Sequence, residues 1–189
     1  MSGVKAMALL KASESTPLSG GPSFTLMSRA HRALWNASWL LLARWTPPFA
    51  HPWRRFLLRL FGARIGEGAH IYSSAKIWLP RNLTMDAFAC LGPAANCYCI
   101  AEVRLGAHVV ISQGAELCTG SHDLSDPAFQ LVAKPIVVEQ GAWIAAGAFV
   151  GPGVTIGERA VLGARAVAFK DIPAGSIFIG NPAAFLKAR

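Results

Sequence analysis

Acidic residues are nearly absent from the first third of this 189-residue chain: Glu14 stands alone among residues 1–64 against nine lysines and arginines. Residues 65–189 balance nine bases with nine acids, so the net charge of +8 belongs wholly to the N-terminal third. Cysteine is also scarce. Cys90, Cys97, Cys99 and Cys118 include a C-x-C but no two C-x2-C pairs, which argues against a structural zinc frame. Free, mostly buried thiols in a reducing cytoplasm are expected instead. No apolar run approaches the ~20 residues of a membrane span; the most apolar, Ala37 to Ala43, falls far short. The opening residues lack a basic start followed by an apolar core, so no secretory leader is expected. Yet 53% of the residues are hydrophobic, too many for a disordered chain. One domain with a basic appendage fits these limits.

What the chain has is a six-residue beat. Val138, Ile144, Val150, Ile156, Leu162 and Ala168 stand six apart. Four residues after each comes a second column, Ala142, Ala148, Val154, Ala160, Ala166 and Ile172, small at most steps. A period of six fits neither the ~3.6 of a helix nor the ~2 of a lone strand. It predicts a parallel β-helix, with the aliphatic pointing into a stacked core and the small residue turning a tight corner.

The same beat starts at Ile65 and continues through Ile71, Ile77, Leu83, Ala89 and Ala95. It resumes out of phase at Leu105, Ile111 and Leu117, which predicts a bulge between Asn96 and Glu102. A break from Thr119 to Pro135, with Gly120, Asp126-Pro127 and Lys134-Pro135, reads as a loop thrown out from the coil. After Asp171-Ile172-Pro173 a strand is expected over 176–179, then a short helix over 183–188. Ahead of the coil, residues 1–27 read as a mobile tail. Helical patterns follow over Ser28 to Trp45, stopped by Thr46-Pro47-Pro48, and over Pro52 to Phe61, capped by Gly62.

Residues 62–189 resemble the hexapeptide-repeat acyltransferases, which fold as left-handed parallel β-helices. Val150-Gly151-Pro152-Gly153-Val154-Thr155-Ile156-Gly157, Lys170-Asp171-Ile172-Pro173 and Gly180-Asn181-Pro182-Ala183 are similar to the galactoside, maltose and nodulation-factor O-acetyltransferases. Cys118-Thr119-Gly120-Ser121-His122-Asp123 and the stretch Arg54 to Ile65 resemble more narrowly the colanic-acid acetyltransferases of exopolysaccharide gene clusters. The implied function is transfer of acetyl from acetyl-CoA to a sugar hydroxyl of an exopolysaccharide or its lipid-linked precursor. A non-catalytic β-helix scaffold is the alternative.

The resemblance places the general base at His122, whose ring titrates near neutral pH and suits it to take a hydroxyl proton. Asp123, Glu116 or a backbone carbonyl could orient its far nitrogen. The family's CoA contacts carry over onto Ala146 and Ala164, with Phe169 and Lys170 next, in a groove between neighbouring prisms of a homotrimer. Lys187 matches a C-terminal contact, whereas Ala184 stands where the sugar acetylases carry an arginine. Trp143 could line the pocket. Asn96 is a candidate acceptor contact, with Cys99 the alternative at that loosely aligned place, and Asp123 flanks the acceptor. Carbonic anhydrases of related fold bind zinc through three histidines, two of them five apart. Here His70, His108 and His122 include no close pair, so no metal is expected.

The basic helices over 28–61, with arginines beside tryptophans and leucines, suit two roles. One is peripheral contact with anionic lipid on the inner face of a cytoplasmic membrane. The other is a cap over the end of the β-helix. Nucleic acid is not an expected partner, because no binding motif accompanies the basic residues.

Overall fold

The computed structural model describes residues 23–189 apart from residue 128. Of the expected tail, residues 1–22 lie outside the described residues, while Leu26 and Met27 already belong to helix α1, Leu26–Leu42. Thr25 opens α1 by accepting a hydrogen bond from the Ser28 backbone N–H. Helix α2, His51–Leu60, follows the prolines and carries Pro52 in its first turn.

From Arg64 the chain winds into a left-handed parallel β-helix with three faces. Face A stacks the strands that carry Ile65, Met85, Leu105, Val138 and Ile156; face B those that carry Ile71, Leu91, Ile111, Ile144 and Leu162; face C those that carry Ile77, Cys97, Leu117, Val150 and Ala168. Each of these residues points inward and is buried, as the beat predicts. The small column turns the corners: Ala69, Ala89, Ala95, Ala115, Ala142, Ala148, Ala160 and Ala166 are all fully buried.

The phase differs from the sequence expectation in one respect. Partners on face A are twenty residues apart from Ile65 to Met85 and again from Met85 to Leu105, against eighteen from Val138 to Ile156. Two residues are therefore inserted twice, both times at the corner between faces C and A. The first insertion, around the 3-10 turn Pro80–Asn82, was not foreseen. Leu83, Ala89 and Ala95 thus leave the strand column; the two alanines are corner residues of the next coil. The inserted corners stack on one another. The Asn82 side-chain amide donates to the carbonyls of Cys99 and Ile100 at 3.1 and 2.6 Å. The Cys99 thiol bridges the Leu79 N–H and C=O.

The C-terminus also differs from expectation. Residues 184–188 form a strand, antiparallel to Ser176–Ile179, in place of a helix. Ser176–Ile179 leaves an open edge on face B, and the pairing it offers outweighs the good helix propensities of Ala, Leu and Lys.

Helices α1 and α2 cover the opposite end. Backbone bonds run both ways between coils, as His70 N–H to Ala89 O and Phe88 N–H to Glu67 O show, so the first-coil groups that point away from the stack have no coil below to serve them. Side chains take that place. Arg59 donates to Ile65 O, Arg55 to Ala69 O, Arg54 to Ile71 O and the Trp35 indole to Ile77 O, at 2.6 to 3.0 Å. Arg54 is fully buried and also donates to Thr46 Oγ1 and the carbonyls of Pro47 and Pro48. Three arginines of the basic segment are thus edge caps.

Candidate active site

The loop expected over 119–135 is a β-hairpin that leaves the coil at the C–A corner. Gly120–His122 pairs with Leu131–Ala133 antiparallel, and Lys134 N–H closes its base onto Thr119 O. Thr119 is buried and ties the hairpin to the stacked corner, donating to Tyr98 O and accepting from Ala101 N–H. Gly120 lets the hairpin pass close to the coil: a Cβ there would lie 2.8 Å from Ile100 Cδ1 and 3.2 Å from the Tyr98 ring, so those side chains would have to shift.

His122 ends the outgoing strand, half-buried. Its Nδ1 lies 2.8 Å from Phe129 O, and the Phe129 ring stacks on it at 4.2 Å between centroids. With Nδ1–H donating to that carbonyl, Nε2 carries the free lone pair. Of the three orienters the sequence left open, the geometry selects the backbone carbonyl. The Asp123 carboxylate turns to its own loop and accepts from Ser125 N–H and Oγ–H. Those bonds hold its pKa below the usual carboxylate value, although the residue is exposed. Glu116 accepts from Asn96 Nδ2 at 3.1 Å on face C.

The other candidates divide between two edges of face C. Phe169 and Lys170 share the C–A edge with the hairpin, two coils above its root, about 10 Å along the axis. Phe169 lies over Gly151, where a Cβ would fall 2.6 Å from its ring. Ala146 and Ala164 stand on the far edge, between faces B and C, one coil apart with Arg165 N–H donating to Ala146 O. Trp143, on face B, is partly exposed and donates to Ser112 Oγ. Lys187 is exposed on the last strand, opposite Ile177. A single chain therefore does not bring Ala146 and Ala164 to His122. Cys99 is buried in the corner stack and is not open to a ligand, whereas Asn96 is accessible on face C.

Sequence reasoning missed the groove beside Asn96. It has a volume of 450 Å³ and runs between α1 and face C, lined by Trp39 and Leu40 from the helix, Arg44 from the turn after it, and Lys76, Trp78 and Tyr98 from the coils, among others. Alternation of outward residues along 76–78 and 96–98 was the signal that could have found it. His70 and His108 are occupied by ring stacking, with His51 and Phe88 respectively. Among the described residues no three His, Cys, Asp or Glu side chains gather as a metal site.

Hexapeptide coils with a histidine-bearing hairpin at one edge define a transferase of the hexapeptide class. The family described as bacterial transferase hexapeptide (six repeats) matches residues 135–168. The chain is 46% identical over 156 residues to the "Putative colanic acid biosynthesis acetyltransferase WcaF" of Escherichia coli (strain K12), covering 82% of this chain and 86% of that protein. It belongs to that family of hexapeptide-repeat acetyltransferases. The fold agrees with a galactoside acetyltransferase solved with coenzyme A (TM-score 0.80, 20% identity, 89% of this chain and 85% of that one). It agrees equally with a hexapeptide-repeat acetyltransferase of Vibrio cholerae O1 biovar eltor complexed with acetyl-CoA (TM-score 0.80, 23% identity, 89% and 92% covered).

Proposed function

We propose that the protein transfers acetyl from acetyl-CoA to a hydroxyl of a sugar in a bacterial exopolysaccharide or its lipid-linked precursor, with His122 as the general base. The observation that carries this reading is the Nδ1 contact of His122 with Phe129 O, which leaves Nε2 free at the end of the hairpin's outgoing strand. Nε2 takes the proton as the sugar oxygen attacks the thioester carbonyl. The tetrahedral intermediate then expels the CoA thiolate, and the imidazolium returns its proton to that sulfur. The products are an acetyl ester and CoA, with no acyl-enzyme.

The donor's pantetheine arm fits the small column of Ala146 and Ala164, where backbone can approach a ligand closely. Phe169, Lys170 and Lys187 would meet the rest, with the lysines as point charges toward phosphate. Because Ala146 and Ala164 stand on the edge opposite the hairpin, the site is assembled from two chains. A homotrimer in which one prism's B–C edge faces the next prism's C–A edge satisfies that need. Asn96 and Asp123 would border the acceptor. Replacing His122 with Ala is expected to lower kcat by ~10²–10⁴ while leaving acetyl-CoA affinity and thermal stability unchanged. Unaltered turnover in that variant would eliminate the mechanism.

Among the described residues no helix is long and apolar enough to cross a membrane. A peripheral contact at the cytoplasmic face draws support from residues other than the capping arginines. Leu41, Trp45, Phe49, Phe56 and Leu60 are exposed on the helical end, with Trp45 and Phe49 about 80% accessible. Arg29 and Arg44 accompany them without an ion-pair partner among the described residues. Joint replacement of Trp45 and Phe49 by Ser should release the protein from anionic vesicles in a sedimentation assay. Equal sedimentation of both proteins would remove the membrane contact from the reading.

A further inference from the structure

We propose that the groove between α1 and face C binds the phosphate-bearing end of the acceptor, so that the sugar presented to His122 is one esterified to a phosphate or diphosphate. This rests on the acetyltransferase reading and adds the chemical class of its second substrate.

The groove wall is graded in charge. Lys76, Asn96 and Glu116 are register partners on successive coils, so their outward side chains form a ladder with rungs about 4.8 Å apart. It runs from a cation on the first coil, through an amide, to a carboxylate on the coil from which the hairpin springs. Beside it Trp78 and Tyr98 follow one another on the first two coils, their rings edge to face with centroids 4.7 Å apart. Tyr98 adjoins Gly120, so the aromatic wall ends at the root of the strand that carries His122.

Facing the cationic end, α1 supplies Asn36 and Trp39, and the turn after it supplies Arg44. Neither Arg44 nor Lys76 has an ion-pair partner among the described residues, where the single salt bridge joins Arg64 to Glu102. Trp39 is nine-tenths buried in this lining, and its indole Nε1 finds no acceptor. Two unpaired cations beside an aromatic wall are complementary to an anion with several oxygens, which phosphate supplies. Glu116, the one carboxylate near the wall, is two rungs from Lys76 and already engages the Asn96 amide. Polar groups at that end suit sugar hydroxyls, and the Tyr98 ring suits the apolar face of a pyranose, while the Trp78 ring already carries the Arg32 guanidinium of α1 at 4.1 Å. The gradient therefore orients such a ligand, phosphate toward Arg44 and Lys76 and sugar toward the hairpin.

Nucleotide sugars and lipid-diphosphate sugars share this chemistry, and the test separates them. The full chain, saturated with CoA, is titrated calorimetrically with UDP-glucose and with farnesyl diphosphate; glucose and farnesol serve as phosphate-free controls. The same titrations are run on the R44E/K76E double variant, in which both changed side chains are exposed. Binding of at least one phosphorylated probe is expected at one site per chain. The double reversal should weaken it on the order of 100-fold, with CoA affinity and oligomeric mass unchanged. Preference for farnesyl diphosphate assigns a lipid carrier, preference for UDP-glucose a nucleotide carrier, and equal binding the phosphate alone. The proposal is overturned if neither phosphorylated probe binds, if the reversal leaves their affinity unchanged, or if it abolishes CoA binding as well. Absence of CoA binding in the unaltered protein would instead strike the acetyltransferase reading beneath it.

Discussion

The two ends of the β-helix meet the same problem, an open sheet edge, with opposite chemistry. At the N-terminal end the chain covers carbonyls of the first coil with side-chain donors: Arg54, Arg55, Arg59 and the Trp35 indole. At the C-terminal end the strand Ser176–Ile179 is covered by backbone, when residues 184–188 fold back beside it. A carbonyl edge needs N–H groups, which arginine supplies in a rigid fork of five. A carboxylate there would repel the carbonyl oxygens. The shortage of acids in the first third, and part of its charge of +8, are thus consequences of which edge that segment covers. The helices still leave a broad apolar face outward, whereas the final strand is exposed along its whole length and buries almost nothing.

Paired variants measure this asymmetry. Arg54→Ala leaves the carbonyls of Pro47 and Pro48 without their donor, takes the arginine from Ile71 O and opens a cavity under α2. A loss of about 4 kcal/mol is expected, read as a lower Tm and an earlier urea midpoint. Removal of residues 183–189 takes away a strand whose side chains lie in solvent, so its cost to stability should be smaller than that of the single arginine. Its signature should be self-association through the bared edge, visible in light scattering. If the truncation destabilises the protein more than Arg54→Ala, backbone pairing and not side-chain capping is the stronger seal, and the comparison is inverted.

The coil itself was legible because its columns repeat along the sequence, but the beat alone could not place the slips. Ile77, Leu83, Ala89 and Ala95 keep perfect spacing and are all buried, yet the first lies on a strand and the last two turn corners. Burial is common to both columns; side-chain size separates them, and Ala89 and Ala95 carried that signal. The C-terminal segment was misread because its local preference is helical, while the decisive partner, Ser176–Ile179, is a tertiary feature. His122 was proposed as the base from the motif around it. Its orienter was not, since a carbonyl such as that of Phe129 belongs to every residue and leaves no trace in sequence. The arginines of α2 were assigned evenly between lipid and end-capping for the same reason: the acceptors they serve are backbone atoms of another element.

The smallest expected effect lies at the same sealed end and concerns pH. His51 begins α2 with Nδ1 2.9 Å from Ile71 O and 3.1 Å from Arg54 Nη2, and its ring stacks on His70 and edges Tyr72. Burial lowers its pKa below the usual 6.5; the Ile71 carbonyl opposes this, while the charges of Arg54, His70 and Arg55 add to it. The folded protein thus holds the neutral ring more strongly than the unfolded chain does. That preference stabilises the fold fully above about pH 6.5 and is lost as the pH falls through the lowered value, because protonation then costs the folded state more. Tm should therefore decline on acidification from pH 7.5 to 5.5, and the decline should be shallower in His51→Gln, which keeps a donor for Ile71 O but cannot charge. Parallel curves for the two proteins would place the acid sensitivity elsewhere and leave the N-terminal seal indifferent to pH.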